Sequence, residues 1–151
     1  MNVIWLRPNK PANISVGRHR LARELETRGH DIEIRNATAA EFRRIHRANP
    51  DIVVGTTRLG AFVGAWKKLT SNTPLVVDHI DPISQLRRSQ GPITTWCVGQ
   101  AEKVTFRLAD HVMVVYEEEL PRVRRHASAV THTSLGVDYD RFANPTEETV
   151  Q

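Results

Sequence analysis

The chain of 151 residues contains a single cysteine, Cys97, so no disulfide bond can form within it. Its N-terminus also lacks the pattern of a secretory signal, in which a basic segment precedes an apolar run and a small-residue cleavage site. No apolar run approaches the ~20 residues that a membrane-spanning helix needs. These absences predict a protein of reducing, cytoplasmic surroundings, for which any membrane association would be peripheral.

Aromatic residues are scarce, at 6% of the chain, which leaves few side chains on which nucleic-acid bases could stack. Lysine is scarce too: only four of the 21 basic residues are lysines, and the rest are arginines, whose planar guanidinium suits phosphate and carboxylate groups. Five arginines fall on two early predicted helices, namely Arg18, Arg20, Arg43, Arg44 and Arg47. They predict either scattered, solvated charge or a basic patch for the phosphates of a lipid or acceptor. Nucleic acid is not expected as a partner.

Several familiar signatures are absent. No Gly-x-Gly-x-x-Gly follows the first predicted strand, and no Gly-x-x-x-x-Gly-Lys-Ser/Thr occurs, so ordinary dinucleotide binding and P-loop chemistry lose their main support. The Gly-x-Ser-x-Gly of the α/β-hydrolases is missing as well, so a serine hydrolase of that fold is not expected.

What the chain does have is a regular alternation of apolar strands and amphipathic helices. Strands are predicted at 2–6, 31–35, 51–54, 74–77, 112–115 and 129–133, and helices at 15–28, 39–48, 58–69, 92–108 and 117–126. Such alternation predicts an α/β, Rossmann-like three-layer domain: a mostly parallel sheet with helices on both faces. This domain is expected to span residues 1–143, and residues 144–151 are expected to form a linker or a disordered tail.

In a parallel sheet of this kind, ligands bind outside the carboxyl ends of the strands. The loops expected there are 7–14, 55–59, 78–91 and 116–118. Asn13, Arg18 and Arg58 lie on or beside the first two and are candidate substrate-binding residues. The stretch from Asp78 to Gly91 is predicted as one unusually long polar loop, which favours a functional role.

The densest group of reactive side chains is Asp78-His79-Ile80-Asp81, directly after the fourth predicted strand. A metal site needs three or more suitably placed ligands, and the other histidines show no ligand spacing with His79, so no metal is expected. Two interpretations remain: His79 orients a substrate or acts in catalysis, with Asp78 and Asp81 as substrate-binding or tautomer-fixing groups, or these residues only cap the loop.

Several motifs resemble one known family. The segments 107–115 (RLADHVMVV) and 134–142 (SLGVDYDRF) resemble the end of the N-terminal domain of GT-B glycosyltransferases, in the retaining, nucleotide-sugar-dependent group 1 or family 4-like class. The segment 21–34 (LARELETRGHDIEI) resembles the first helix and second strand of that domain. Val76-Val-Asp-His79 is similar to the Val-x-x-His after its fourth strand.

The resemblance implies that His79 lies beside the transferred sugar and helps to orient it, in a metal-independent reaction without a cofactor, the nucleotide-sugar being the donor substrate. It also implies that the donor is held by a C-terminal domain or a second chain, and that this domain alone is inactive. The family's glycine pair after the first strand is replaced by Ala12-Asn13-Ile14, and its serine after the fifth strand by Tyr116. The alternative is a stand-alone Rossmann-like module that binds a phosphorylated or anionic ligand without chemistry.

Overall fold

The structure is a computed structural model that describes residues 1–8 and 15–133. The strands are β1 (Asn2–Pro8), β2 (Asp31–Ala37), β3 (Ile52–Thr56), β4 (Leu75–His79), β5 (His111–Val114) and β6 (Val130–His132). The helices are α1 (Ser15–Thr27), α2 (Glu41–Arg47), α3 (Thr57–Ser71), α4 (Ile83–Ser89), α5 (Pro92–Leu108) and α6 (Leu120–Arg124), and a 3₁₀ turn spans Glu117–Glu119.

All six strands are parallel, in the order β2-β1-β3-β4-β5-β6. The predicted α/β, Rossmann-like three-layer fold is confirmed. The chain first moves from β1 outward to β2, then crosses to β3 and continues in the other direction. The order therefore reverses beside β1, and the carboxyl edge between β1 and β3 is a topological switch point of the type at which doubly wound sheets bind ligands.

The two faces of the sheet are covered unequally. One face carries the larger core, to which α2, α3, α5 and α6 contribute Ile45, Val63, Phe106 and Val123 among others. On the other face, α1 contributes Ala22 to a smaller core with Val3, Trp5, Ile32 and Val54. Right-handed crossovers produce this division, because only the connection from β1 to β2 runs in the opposite direction.

The most consequential difference from the sequence prediction concerns residues 78–91. The strand was predicted to end at Val77, but β4 continues through Asp78 and His79, which pair with Met113 and Val114 of β5. The expected long loop is also interrupted by α4. Burial in the parallel sheet outweighs the polarity of Asp78 and His79, because both side chains find charged partners inside the protein.

Other boundaries differ less. The second helix was predicted at 39–48, but it begins at Glu41, and Ala40 occupies the cap position without a side-chain hydrogen bond. The helix predicted from Glu117 to His126 is divided into the 3₁₀ turn and α6. The bounds of α5 are confirmed, and Gly29 ends the turn after α1 at φ 85°, a conformation that suits glycine.

The turn from β3 into α3 is tightly packed. A Cβ on Gly55 would lie 2.6 Å from the carbonyl oxygen of Gly60 and 2.7 Å from Cα of Ala61. Between them, Thr57 has φ 64°, which is rare for a β-branched residue. The backbone of this turn is therefore fixed where it meets the carboxyl edge of the sheet.

Three expectations fall outside the described residues: the role of Asn13, the motif at 134–142, and the domain boundary near residue 143 with its tail. In the described ranges, no helix is long and apolar enough to cross a membrane.

Candidate functional site

The candidate site lies at the carboxyl ends of β3, β4 and β5, where Asp78 and His79 end the fourth strand. Consecutive strand residues point to opposite faces of a sheet, so these two side chains diverge. Asp78 points to the face of α1, and His79 points to the face of α3, α5 and α6. Each belongs to its own buried network, which we call the Asp78 network and the His79 network.

The Asp78 network consists of Asp78, Arg18, Thr56 and Trp5. Arg18 of α1 donates hydrogen bonds to both oxygens of the Asp78 carboxylate, from Nε to Oδ2 at 2.7 Å and from Nη2 to Oδ1 at 2.6 Å. Thr56 donates its hydroxyl to Oδ2 at 3.1 Å and accepts the indole hydrogen of Trp5 at 2.8 Å. Asp78 has no exposed surface, so its charge is neutralised by a two-pronged ion pair rather than by water.

The His79 network begins at the imidazole, which is 4% exposed. Its Nε2 lies 3.1 Å from Oε2 of Glu119, and Arg122 donates to the same oxygen at 2.5 Å. The imidazole also meets the ring of Phe106 edge-on at a centroid distance of 5.1 Å, and the Arg122 guanidinium lies 5.4 Å from the same ring. His79 is thus fixed between a carboxylate and an aromatic core residue.

The network continues through Glu102 of α5 to Arg58 of α3. Arg122 donates to Glu102 at 2.9 Å, and Arg58 donates to the other oxygen of that carboxylate at 2.7 Å. Arg58 also donates to the carbonyls of Asp81 and Pro82, while Glu119 accepts the backbone hydrogen of Ile83 at 3.2 Å. The five side chains therefore connect β4 with three α-helices and the 3₁₀ turn, and they hold the segment between β4 and α4.

The pKa of Glu119 is set by two opposing influences. Burial raises its pKa, but the hydrogen bonds from His79 and Arg122 and the positive charge of Arg122 outweigh burial and bring the pKa from 4.5 to about 2. The carboxylate is therefore ionised throughout the physiological pH range and can only accept hydrogen bonds.

This charge state determines which nitrogen of a neutral His79 carries the hydrogen. Nε2 lies 3.1 Å from the Glu119 carboxylate, which can only accept. It also lies 3.4 Å from Nη2 of Arg122, but that group already donates to the same carboxylate at 2.5 Å, so the hydrogen is assigned to Nε2. Nδ1 is then the hydrogen-bond acceptor of the ring. An imidazole in this tautomer can accept a hydrogen bond from a hydroxyl group, which is the chemistry needed to orient an alcohol or a sugar.

The structure brings most of the sequence-predicted residues to one edge but gives them protein partners. Arg18 pairs with Asp78, and Arg58 pairs with Glu102, so neither guanidinium is free for a ligand in this state. Asp81 is half-buried and contributes its backbone carbonyl to Arg58. Asp78 lies across the sheet from the imidazole, and it is Glu119 that bonds His79.

The five early arginines do not share one surface. Arg18 and Arg20 belong to α1, whereas Arg43, Arg44 and Arg47 belong to α2 on the opposite face of the sheet. Arg44 and Arg47 border a surface depression of about 600 Å³ that also contains Glu33 and Glu41. This depression is of mixed charge. In the residues that the structure describes, no three histidine, cysteine or acidic side chains are grouped so that they could hold a metal ion.

Sequence reasoning missed the acids that matter most to His79. Neither Glu119 nor Glu102 is among the site residues that the sequence predicts. The ion pairs lie 40 residues apart for His79 and Glu119 and 44 for Arg58 and Glu102. The one local signal was the spacing of Glu119 and Arg122, which are three residues apart and form an ion pair on one helical turn.

No protein-family model matches the sequence, and none of the curated proteins compared with it is significantly similar.

Proposed function

We propose that this chain is the acceptor-side, N-terminal domain of a GT-B glycosyltransferase, which transfers a sugar from a nucleotide-sugar to an acceptor. The observation that carries the proposal is the position of His79, the last residue of β4 at the carboxyl edge of a doubly wound parallel sheet. This is the place in the fold where the resembled family has its sugar-orienting histidine. The donor half would come from a C-terminal domain or a second chain.

In this proposal, His79 accepts a hydrogen bond from a sugar hydroxyl through Nδ1, and Glu119 holds the tautomer that makes this possible. Glu119 is a positioning residue, because it acts through the imidazole. The ring is 4% exposed, so contact with a substrate requires movement of the segment that follows β4. Arg58 and Glu119 hold that segment through the carbonyls of Asp81 and Pro82 and the backbone of Ile83.

The alternative, a non-catalytic module for an anionic ligand, receives less support from the described residues. Its best candidate groups, Arg18 and Arg58, are both engaged by buried carboxylates. A phosphate would have to displace these ion pairs, and each displacement would leave a buried negative charge without its partner.

Release of nucleoside diphosphate from uridine and guanosine diphosphate sugars tests the proposal. The chain alone is expected to release none and to bind these donors no tighter than millimolar in calorimetry.

When a donor-binding domain follows this one, transfer is expected, and His79→Ala lowers kcat by about 10²–10³-fold because an orienting hydrogen bond is lost. Glu119→Gln should lower kcat less. Micromolar donor binding by the chain alone would favour the binding module, and transfer unaffected by His79→Ala would remove the assigned role.

A further inference from the structure

Two neighbouring helices, α3 and α5, expose large apolar side chains on their outer faces. Six such residues are between 40% and 79% exposed: Leu59, Trp66 and Leu69 of α3, and Ile93, Trp96 and Val104 of α5. On α5 they recur at intervals of three and eight residues, and on α3 at seven and three, which places them along one side of each helix. We call these six residues the outer apolar face.

The amphipathic pattern of α3 is unusual. The helix buries small residues, Gly60, Ala61, Gly64 and Ala65 among them, and it also buries Lys67. The Lys67 ammonium donates to the carbonyl of Ala48 at 2.7 Å, at the end of α2. The sheet therefore takes mainly small side chains of α3 together with Val63, whereas Leu59, Trp66 and Leu69 remain exposed. A helix that served only to cover the sheet would show the reverse distribution.

The two helices lie side by side in the same direction. Arg58 in the first turn of α3 pairs with Glu102 of α5 at 2.7 Å, and Lys68 near the end of α3 pairs with Asp110 after α5 at 2.9 Å. Because Arg58 lies beside Glu102, the residues of α5 before about Gly99 extend past the start of α3. At this projecting end of α5, α4 packs against it: a Cβ placed on Gly99 of α5 would lie 3.9 Å from Cδ1 of Ile83 in α4. Ile93 and Trp96 thus lie on a helical hairpin that extends beyond the start of α3.

The charge around this face is positive. Residues 57–108 contain three acids, of which Asp78 and Glu102 are buried in ion pairs, and Asp81 is half-buried. The same stretch contains seven basic residues, of which Lys67 is buried and Arg58 is paired with Glu102: Arg58, Lys67, Lys68, Arg87, Arg88, Lys103 and Arg107. Arg87, Arg88 and Arg107 are exposed. Just outside this stretch, the exposed Asp110 pairs with Lys68. Tryptophan next to an excess of arginine and lysine is the composition of surfaces that lie on anionic lipid.

We propose that the outer apolar face and its basic neighbours bind the surface of an anionic lipid bilayer, with Trp66 and Trp96 at the level of the headgroups. A second copy of the chain fits this surface poorly, because a two-fold contact would bring its arginines together. The inference goes beyond the proposed function and does not depend on it. It also moves the predicted membrane contact from the arginines of α1 and α2 to α3, α4 and α5.

Vesicle co-sedimentation tests the inference with phosphatidylcholine alone and with about 30% phosphatidylglycerol. The chain is expected to bind only the anionic vesicles and to dissociate as salt rises, because surface charge is screened. Trp96→Glu and Leu69→Glu should each weaken binding by about tenfold or more. Leu21→Glu is the matched control, since Leu21 is also exposed but lies on α1, on the opposite face of the sheet.

A second readout separates local insertion from general attraction. Cys97 is the chain's single cysteine and is exposed beside Trp96, so the wild-type protein can carry a polarity-sensitive fluorophore there. Its emission should shift to the blue on anionic vesicles, and the labelled Leu21→Glu protein should show the same shift. Equal loss of binding in Leu21→Glu and Trp96→Glu would overturn the inference, as would sedimentation without a spectral shift. Self-association that Leu69→Glu abolishes, with no vesicle binding, would assign the face to a protein contact instead.

Discussion

At the scale of single residues, the carboxyl edge is organised by two neighbours that point apart. Asp78 and His79 are both buried, yet each has an ionic partner from a different helix, Arg18 for one and Glu119 for the other. Burying a charge costs several kcal/mol unless it is paired and hydrogen-bonded. The polar residues at this strand end are therefore tolerated because their partners arrive from distant parts of the sequence.

Glu119 should make stability depend on pH in the acid range. Its folded-state pKa of about 2 lies below the ordinary 4.5, so its contribution is present above pH 4.5 and is lost as pH falls through about 2. As pH falls over this range, the difference in the free energy of unfolding between the wild type and Glu119→Gln should decrease by about 3 kcal/mol. Urea unfolding at several pH values measures this difference. Glu118→Gln removes a carboxylate from the same turn as a control, and an identical pH dependence in both variants would contradict the assignment.

Arg18→Met should be strongly destabilising, because it leaves the fully buried Asp78 carboxylate without its cation. We expect a loss of about 3–5 kcal/mol in the free energy of unfolding. Adding Asp78→Asn to this variant should restore part of the loss, since the uncompensated charge disappears. Arg28→Met is the control, because Arg28 and its partner Glu24 are both exposed and such pairs contribute about 0–1 kcal/mol. Equal losses for Arg18→Met and Arg28→Met would show that the buried pair is unimportant.

At the scale of elements, the turn between β3 and α3 determines how the third helix meets the sheet. The backbone at Gly55 approaches Gly60 and Ala61 so closely that no side chain fits between them. Through this contact, α3 starts directly at the end of β3, which brings Arg58 to Glu102 and to the segment after β4. The position of the His79 network thus depends on a glycine that does not belong to it.

Gly55→Ala should therefore destabilise the protein by about 3 kcal/mol, because the new methyl group would meet backbone atoms that cannot rotate away. The thermal unfolding midpoint measures the effect. Gly91→Ala is a matched control, since a Cβ on Gly91 would meet nothing within 4 Å. A Gly55→Ala protein as stable as Gly91→Ala would mean that the turn is looser than described.

The alternation of strands and helices could be predicted from the sequence because the periodicity of apolar residues is local. The helix predicted at 92–108 has the same bounds in the structure, and the one predicted at 15–28 ends at Thr27. The extension of β4 through His79 could not be predicted, since polar residues at a strand end look like loop residues until their partners are known. Glu119 and Arg18 lie 40 and 60 residues from the groups with which they form hydrogen bonds, and no spacing rule covers such distances.

At the scale of the whole molecule, the sheet separates two networks, which the backbone joins at Asp78 and His79 in β4 and again between Thr56 and Arg58 at the start of α3. The Asp78 network fixes α1 on one face, and the His79 network fixes α3, α5 and α6 on the other. A ligand at the carboxyl edge would meet both, whereas a change within one network should leave the other intact. Substitutions in the His79 network should therefore leave the packing of α1 against the sheet unchanged.

This separation predicts additive stability effects across the sheet. Thr56→Val removes a buried hydroxyl of the Asp78 network, and Glu119→Gln weakens the His79 network, so the double variant should match the sum of the single losses within about 0.5 kcal/mol. Within one network the result should differ: Trp5→Phe and Thr56→Val remove the two ends of one 2.8 Å hydrogen bond and should couple by about 1 kcal/mol. Urea unfolding of both double-mutant cycles gives the comparison. A coupling across the sheet as large as the coupling within the network would show that the carboxyl edge responds as one unit, and that a ligand bound beside His79 would also reorganise α1.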